Sequence, residues 1–191
     1  MRRSFDIDLV PVPFGLRPDV PPEGISAAEH GLVHSERVEA RLLEIAEAVG
    51  HPMVLPDLVP NTHLAMVMAE YARDRGDEVF WRVHRAIFAA YLGAGRDIGR
   101  REVLLGVARA EGLDAEAVTR AWDDGAYDGR LHEFHHLALH LGIKSTPSAL
   151  ICNELLIGTR PYRVLREAVE HCLITPATLE GEAEPHAVPE A

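Results

Sequence analysis

Leu141-Gly-Ile-Lys-Ser-Thr-Pro-Ser-Ala-Leu150 marks the point where the pattern of this chain changes. Upstream of it the apolar residues recur at helical spacing. Downstream, Pro147 to Cys152 is short, apolar and partly β-branched, which reads as a strand opened by a proline. Asn153-Glu154 can turn, and Leu155 to Ile157 can return as a second strand. Pro161 then stands near the first turn of a last amphipathic helix, where its missing N–H costs nothing. Val164, Leu165, Val169 and Cys172 form the apolar side of that helix.

Outward from this stretch, toward the amino terminus, the reading is helical for about a hundred residues. Asp128 to Leu141, Ala115 to Asp123 and Ile98 to Glu111 are three helices separated by glycine-containing turns. A helix from about Asp77 to Tyr91 puts Val79, Phe80, Val83, Ile87, Phe88 and Tyr91 on its buried side. Asn61 is a good N-cap for a helix through Leu64, Met68 and Tyr71 to Gly76. Ser35 to Val49 carries a stripe of Val38, Leu42, Ile45 and Val49, closed by Gly50. Before it, Phe5, Ile7 and Leu9 alternate with Asp6 and Asp8, the period of a strand. The prolines at 11, 13, 18, 21 and 22 then forbid a continuing strand and make an extended loop. From Ile174 onward the chain is rich in Pro, Ala, Glu and Thr, which have little to bury, and it reads as disordered. A strand and a distant hairpin flanking a helical block suggest a small mixed sheet with the block inserted.

Several stretches, in this order, resemble the FrnE-like branch of the DsbA family. Phe14-Gly-Leu-Arg-Pro18 with Pro-Glu-Gly24 resembles the segment after that family's second strand. Pro60-Asn61-Thr62 resembles the start of its insertion helix, and Gly95-Arg-Asp-Ile98 with Val103-Leu104 a later helix boundary. Leu141 to Leu150 resembles its helix end, cis-proline loop and third strand, and Gly158-Thr-Arg-Pro161 leads into the last helix. The resemblance implies an α/β, thioredoxin-like fold with a large all-helical insertion. Residues 1–34 would supply a strand and extended loop, 35–141 the insertion, and 142–173 the cis-proline loop, hairpin and C-terminal helix, with 174–191 as the tail. It also implies a first strand and a Cys-x-x-Cys helix start ahead of the region matching Phe5. The expectation is therefore a fold lacking its first strand and first helix, through a truncated start or a degenerate member. The edge of Pro147–Cys152 would then lie open, or be covered by Phe5–Val10 or by a second chain, as in a homodimer.

The implied chemistry is thiol–disulfide exchange, in which a thiolate at a helix N-terminus attacks a substrate disulfide. By resemblance, Thr146-Pro147 is the loop that pairs with an extended peptide or thiol substrate, and the bond between them is expected to be cis. Asn61, as well as capping a helix, lies in the region that borders the cleft of glutathione-using relatives. The expected substrate-binding residues are thus Thr146, Pro147 and Asn61, with no catalytic residue, metal or cofactor in the chain. The two cysteines, Cys152 and Cys172, are too far apart for a redox or zinc motif. They read first as reduced core thiols; a disulfide between them is the alternative, since a strand and its following helix can approach closely. His132, His136 and His140, with His135 beside them, share a helix face at chelating spacing. No third-ligand motif completes the set, and the group reads as a solvated polar face.

Composition narrows the partners. The 191 residues are 47% hydrophobic and 26% charged, with a formal net charge of -11. A surface of that sign repels phosphates, which argues against nucleic acid or an anionic membrane as a main partner. No apolar run is long enough to span a bilayer. Met1-Arg2-Arg3 is followed by an alternating, proline-broken stretch rather than an apolar signal core, so a start at Met1 points to the cytoplasm. Three functions are compatible with these features: a DsbA/FrnE-like family protein unable to perform dithiol exchange with these residues alone, a non-catalytic peptide-binding thioredoxin fold, or a relative of glutathione-dependent hydroxychromene carboxylate isomerases and kappa-type transferases.

Overall fold

The computed structural model describes residues 4–51 and 53–174. It divides into two compact units, Val12–Gly142 and the pair of segments Met1–Pro11 and Ile143–Ala191.

The Val12–Gly142 unit begins with a loop that enters a small ladder. Strand β1 (Ile25–Ser26) pairs antiparallel with β2 (Leu58–Val59), on either side of helix α1 (Glu36–Ala48). Gly24 precedes β1 at φ +79°, and a Cβ there would meet Leu58 Cδ1 at 2.8 Å and the Val59 carbonyl at 2.9 Å. Only glycine tolerates both the backbone and the approach. Asp57 ties the ladder to the next turn by accepting from Ser26 Oγ and the Ala28 amide, both at 2.8 Å. These bonds hold its carboxyl below the ordinary range.

Helix α1 ends as the sequence predicts. Gly50 adopts φ +72°, and the amides of Gly50 and His51 return to the carbonyls of Glu47 and Ala46. That is the Schellman arrangement, which satisfies carbonyls the last turn leaves unpaired. Its stripe fares differently. Val38, Ile45 and Val49 are exposed, and Ala46 is the helix's buried residue. Amphipathic spacing forms a helix but does not supply a neighbour to pack on.

The core lies in the next five helices, α2 (His63–Arg73), α3 (Asp77–Phe88), α4 (Arg101–Ala110), α5 (Ala115–Asp123) and α6 (Asp128–His140). Met68, Leu104, Val83 and Val118 are fully buried among them, with Val67, Phe80, Val107 and Trp122 around them. Each such side chain contributes roughly 1.5–3 kcal/mol by leaving water. Helix α5 is capped by Asp114, whose carboxylate accepts from the Glu116 and Ala117 amides at 2.9 and 3.1 Å. Helix α3 runs into a π-helical turn, Ala89–Gly93. The apolar stripe of α3 places Phe88 inside, yet it is 53% exposed. It ends a ladder of rings that runs outward from the buried Phe80 through His84, with centroids 5.2 and 4.9 Å apart.

The second unit holds an antiparallel hairpin and a helix. Strand β3 (Ser148–Ile151) pairs with β4 (Glu154–Ile157) in the register Ser148 to Ile157 through Ile151 to Glu154. The loop is the two residues Cys152-Asn153, so the turn falls one residue earlier than the sequence suggests, and Cys152 leaves the strand. Helix α7 (Tyr162–Ile174) packs on β3. Leu156, Ala168 and Val169 are the buried hydrophobic residues among those described in this unit. Phe5–Val10 does not form the expected strand. Phe5 and Ile7 are half-buried while Asp6 and Asp8 are exposed, but Leu9 is 54% exposed, so the alternation stops after Asp8. A strand also needs a ladder for its N–H and C=O groups, and among the described residues none pairs with it. The tail read as disordered lies outside the described residues, apart from Ile174, which ends α7.

Candidate functional site

Thr146 and Pro147 stand exposed at the entrance to β3, and the peptide bond between them is cis. The loop is held from both sides. Ser148 Oγ donates to the Ser145 carbonyl at 2.7 Å, and the Gly158 amide donates to the Pro147 carbonyl at 2.8 Å. That second bond continues the β3–β4 ladder by one step and fixes its parity. Pro147, Ala149 and Ile151 turn their main-chain groups toward β4, so those of Ser148 and Leu150 face away from it. Leu150 is half exposed. The entrance to β3 therefore offers N–H and C=O groups that pair with no strand among the described residues, beside an exposed loop, the geometry that takes up an extended chain by strand addition.

Lys144, two residues before Thr146, is a functional candidate that motif and spacing do not flag. It is the sole lysine among 191 residues, in a chain of net charge -11. Its rarity was the available signal.

Asn61 belongs to the Val12–Gly142 unit, and both ends of its side chain do structural work. Nδ2 donates to the Val20 carbonyl at 2.6 Å, and Oδ1 accepts from the His63 amide at 2.9 Å. It thus serves the start of α2 as expected, although Thr62 occupies the cap position. Gly99 lies close, since a Cβ there would come 3.1 Å from the Asn61 carbonyl.

The cysteines correct one expectation. Cys152 and Cys172 are joined as a disulfide across 20 residues, with Cα atoms 6.0 Å apart. The reading of two reduced core thiols gives way because the early turn carries Cys152 out to the surface, facing α7. Cys152 is exposed and Cys172 half-buried. Cys152 has φ +51°, the one positive value at a non-glycine among the described residues. Neither sulfur stands at a helix N-terminus.

The histidines of α6 do not form a metal centre of three or more ligands among the described residues. His132 and His136 lie with ring centroids 4.3 Å apart, while His135 turns aside to stack on Phe14 at 5.1 Å. A second polar group, unforeseen from the sequence, joins α2 to α6. Glu70 is fully buried, and Arg73 Nε donates to both its carboxylate oxygens at 3.1 Å. Arg130 reaches Glu70 at 3.4 Å and Asp74 at 2.8 Å, and Tyr127 donates to Asp74 at 2.9 Å. The Arg130 bond is the main reason the Asp74 carboxyl lies below its usual range. This network is structural, linking two helices through charges that burial would otherwise penalise.

With this geometry in view, the relatives are informative. The family model of the DSBA-like thioredoxin domain matches residues 1–170. The chain belongs to that family, and its fold is the helix-rich, thioredoxin-like α/β fold with a helical insertion. Among solved structures it is similar to a 2-hydroxychromene-2-carboxylate isomerase, at 19% identity and a TM-score of 0.63, over 85% of this chain and 79% of the other. No curated protein gives a significant sequence match. Among the described residues no helix is long and apolar enough to cross a membrane.

Proposed function

We propose that this chain is a ligand-holding member of the DSBA-like family whose 191 residues perform no dithiol turnover by themselves. The observation that carries the reading is the placement of the two cysteines. Catalysts of this chemistry need a thiolate, and a helix N-terminus favours it through unpaired N–H groups and the macrodipole. Cys152 occupies a hairpin turn and Cys172 the last turn of α7, and the two are bonded to each other. Thr146, Pro147 and the outward edge of β3 take an extended peptide or thiol-bearing substrate through main-chain hydrogen bonds. Lys144 favours a ligand with a carboxylate.

Insulin reduction by dithiothreitol is expected to run at the uncatalysed rate with the protein present; acceleration would overturn the reading. Binding is tested by titrating a labelled extended peptide. Leu150→Pro removes an outward N–H and leaves the β4 ladder intact. Loss of one such bond is expected to weaken binding about tenfold, and an unchanged affinity would remove β3 from the site.

A second reading is favoured by the fold shared with the 2-hydroxychromene-2-carboxylate isomerase. In that case the ligand is a small aromatic carboxylate, and the protein would interconvert isomers of 2-hydroxychromene-2-carboxylate in a spectrophotometric assay.

A further inference from the structure

We propose that Cys152 is a thiol-modification site: a low-molecular-weight thiol of the glutathione type opens the Cys152–Cys172 bond at the Cys152 sulfur, forms a mixed disulfide there, and frees the hairpin turn from α7. Three observations converge on that sulfur.

The first is access. Disulfide exchange requires a thiolate to reach one sulfur from outside, and exposed disulfides are the labile ones. Cys152 sits on a two-residue turn open to solvent, whereas Cys172 is half-buried on a helix packed against β3. The second is backbone conformation. At φ +51° Cys152 occupies the left-handed region that side chains other than Asn and Asp rarely adopt. A two-residue hairpin loop sets that positive value at its first residue, so the cysteine stands at the tip of the turn rather than in the ladder. The third is the small core. With Leu156, Ala168 and Val169 as the buried hydrophobic residues among those described, this unit depends on its covalent staple more than a larger core would. Opening the bond therefore has a structural consequence close to Thr146-Pro147 in sequence and on the same hairpin.

The chemistry balances with one class of co-reactant. The incoming thiolate sulfur bonds to the Cys152 sulfur while the Cys152–Cys172 bond breaks. The electron pair of that bond leaves on the Cys172 sulfur, which takes a proton from water. A second thiol can attack the adduct at the sulfur of the first, releasing the small-molecule disulfide and a Cys152 thiolate. Two thiols are then oxidised to one disulfide, and the protein pair is reduced by two electrons. Alternatively the Cys172 thiolate attacks Cys152, expels the adduct and recloses the loop.

The test uses the full chain. Protein isolated without reductant is incubated with reduced glutathione, quenched with acid, and examined by intact mass and peptide mapping. A single adduct on Cys152 is expected. Cys172→Ser treated with glutathione disulfide should accumulate that adduct, because no resolving thiol remains. Cys152→Ser under the same treatment should modify Cys172 more slowly, since that residue is half-buried. Amide exchange across Ser148–Ile157 should rise in the modified Cys172→Ser protein relative to the oxidised wild type. Two free thiols in the untreated protein, a bond that resists glutathione, or an adduct confined to Cys172 would each overturn the site. Unchanged exchange would overturn the release of the hairpin. None of these readouts depends on insulin reduction or peptide binding, so this inference and the ligand-holding role fail separately.

Discussion

At the scale of single residues, Glu70 is the buried charged side chain among the described residues, at 0% exposure, and its desolvation must be offset. Its compensation comes from Arg73 on its own helix and Arg130 on α6. Removing a cation from a buried pair leaves an uncompensated charge, whereas removing the anion leaves arginines that still reach water. Arg73→Met leaves the carboxylate with only the longer contact of Arg130 and is expected to cost up to about 3 kcal/mol in urea unfolding, the double change of Arg73 and Arg130 to Met about 3–5, and Glu70→Gln clearly less. Equal costs would show that the network is not governed by the buried anion. His84 makes a different prediction. Burial, then the charges of Arg73 and Arg85, push its pKa below the ordinary 6.5. A histidine kept neutral by folding contributes stability that is fully present above the unfolded value. That contribution is lost as pH falls through the lowered folded value, because the unfolded chain binds the proton more readily. Stability should decline as pH falls from about 6.5, and His84→Phe should flatten that slope in denaturant titrations at successive pH values.

At the scale of elements, α5 and the hairpin differ in what holds them. The start of α5 is local: one aspartate satisfies two amides of the first turn. Asp114→Ala is expected to cost about 1 kcal/mol, and Asp114→Asn or Asp114→Ser only a few tenths. The hairpin depends on a remote tie. A loop of this length closed by a disulfide gains about 3 kcal/mol from the unfolded chain's lost freedom. Replacing both cysteines by serine should lower the stability of the β3–β4–α7 region by that order. Native-state hydrogen exchange at Ala149 and Leu156 would report it. An unchanged protection pattern would mean that Leu156, Ala168 and Val169 suffice. Helix α1 is a contrasting case, since its sequence stripe is genuine and yet largely exposed.

For the whole molecule, the net charge of -11 bears on partners more than on fold. Duplex DNA offers only like charge to such a surface, and binding to it at physiological salt is expected to be absent in a fluorescence-anisotropy titration. Saturable binding would reveal a local basic surface that the overall charge conceals. Under the proposed ligand-holding role, Lys144 beside Thr146 should make a peptide with a free C-terminus bind more tightly than the amidated one, and equal affinities would remove the lysine from the site.

The features legible in the sequence alone are those that depend on neighbours along the chain. The helices from Asn61 to Leu141 follow from apolar spacing, the end of α1 from Gly50, and the hairpin and last helix from Pro147 to Cys172. The order of these pieces, with Leu141 to Leu150 at its centre, was enough to reach the family. Properties that need contacts between distant segments were not legible there. Alternation at Phe5–Val10 could not reveal that no described ladder pairs with it, nor could the stripe of α1 reveal that Val38, Ile45 and Val49 stay exposed among the described residues. A shift of one residue in the hairpin turn moved Cys152 from a strand interior to the surface and made its partnership with Cys172 possible. The Glu70 network was equally hidden, because Arg130 lies sixty residues away. Local periodicity specifies which elements form; only tertiary structure determines which faces meet, and so which charges are buried together and which thiols are joined.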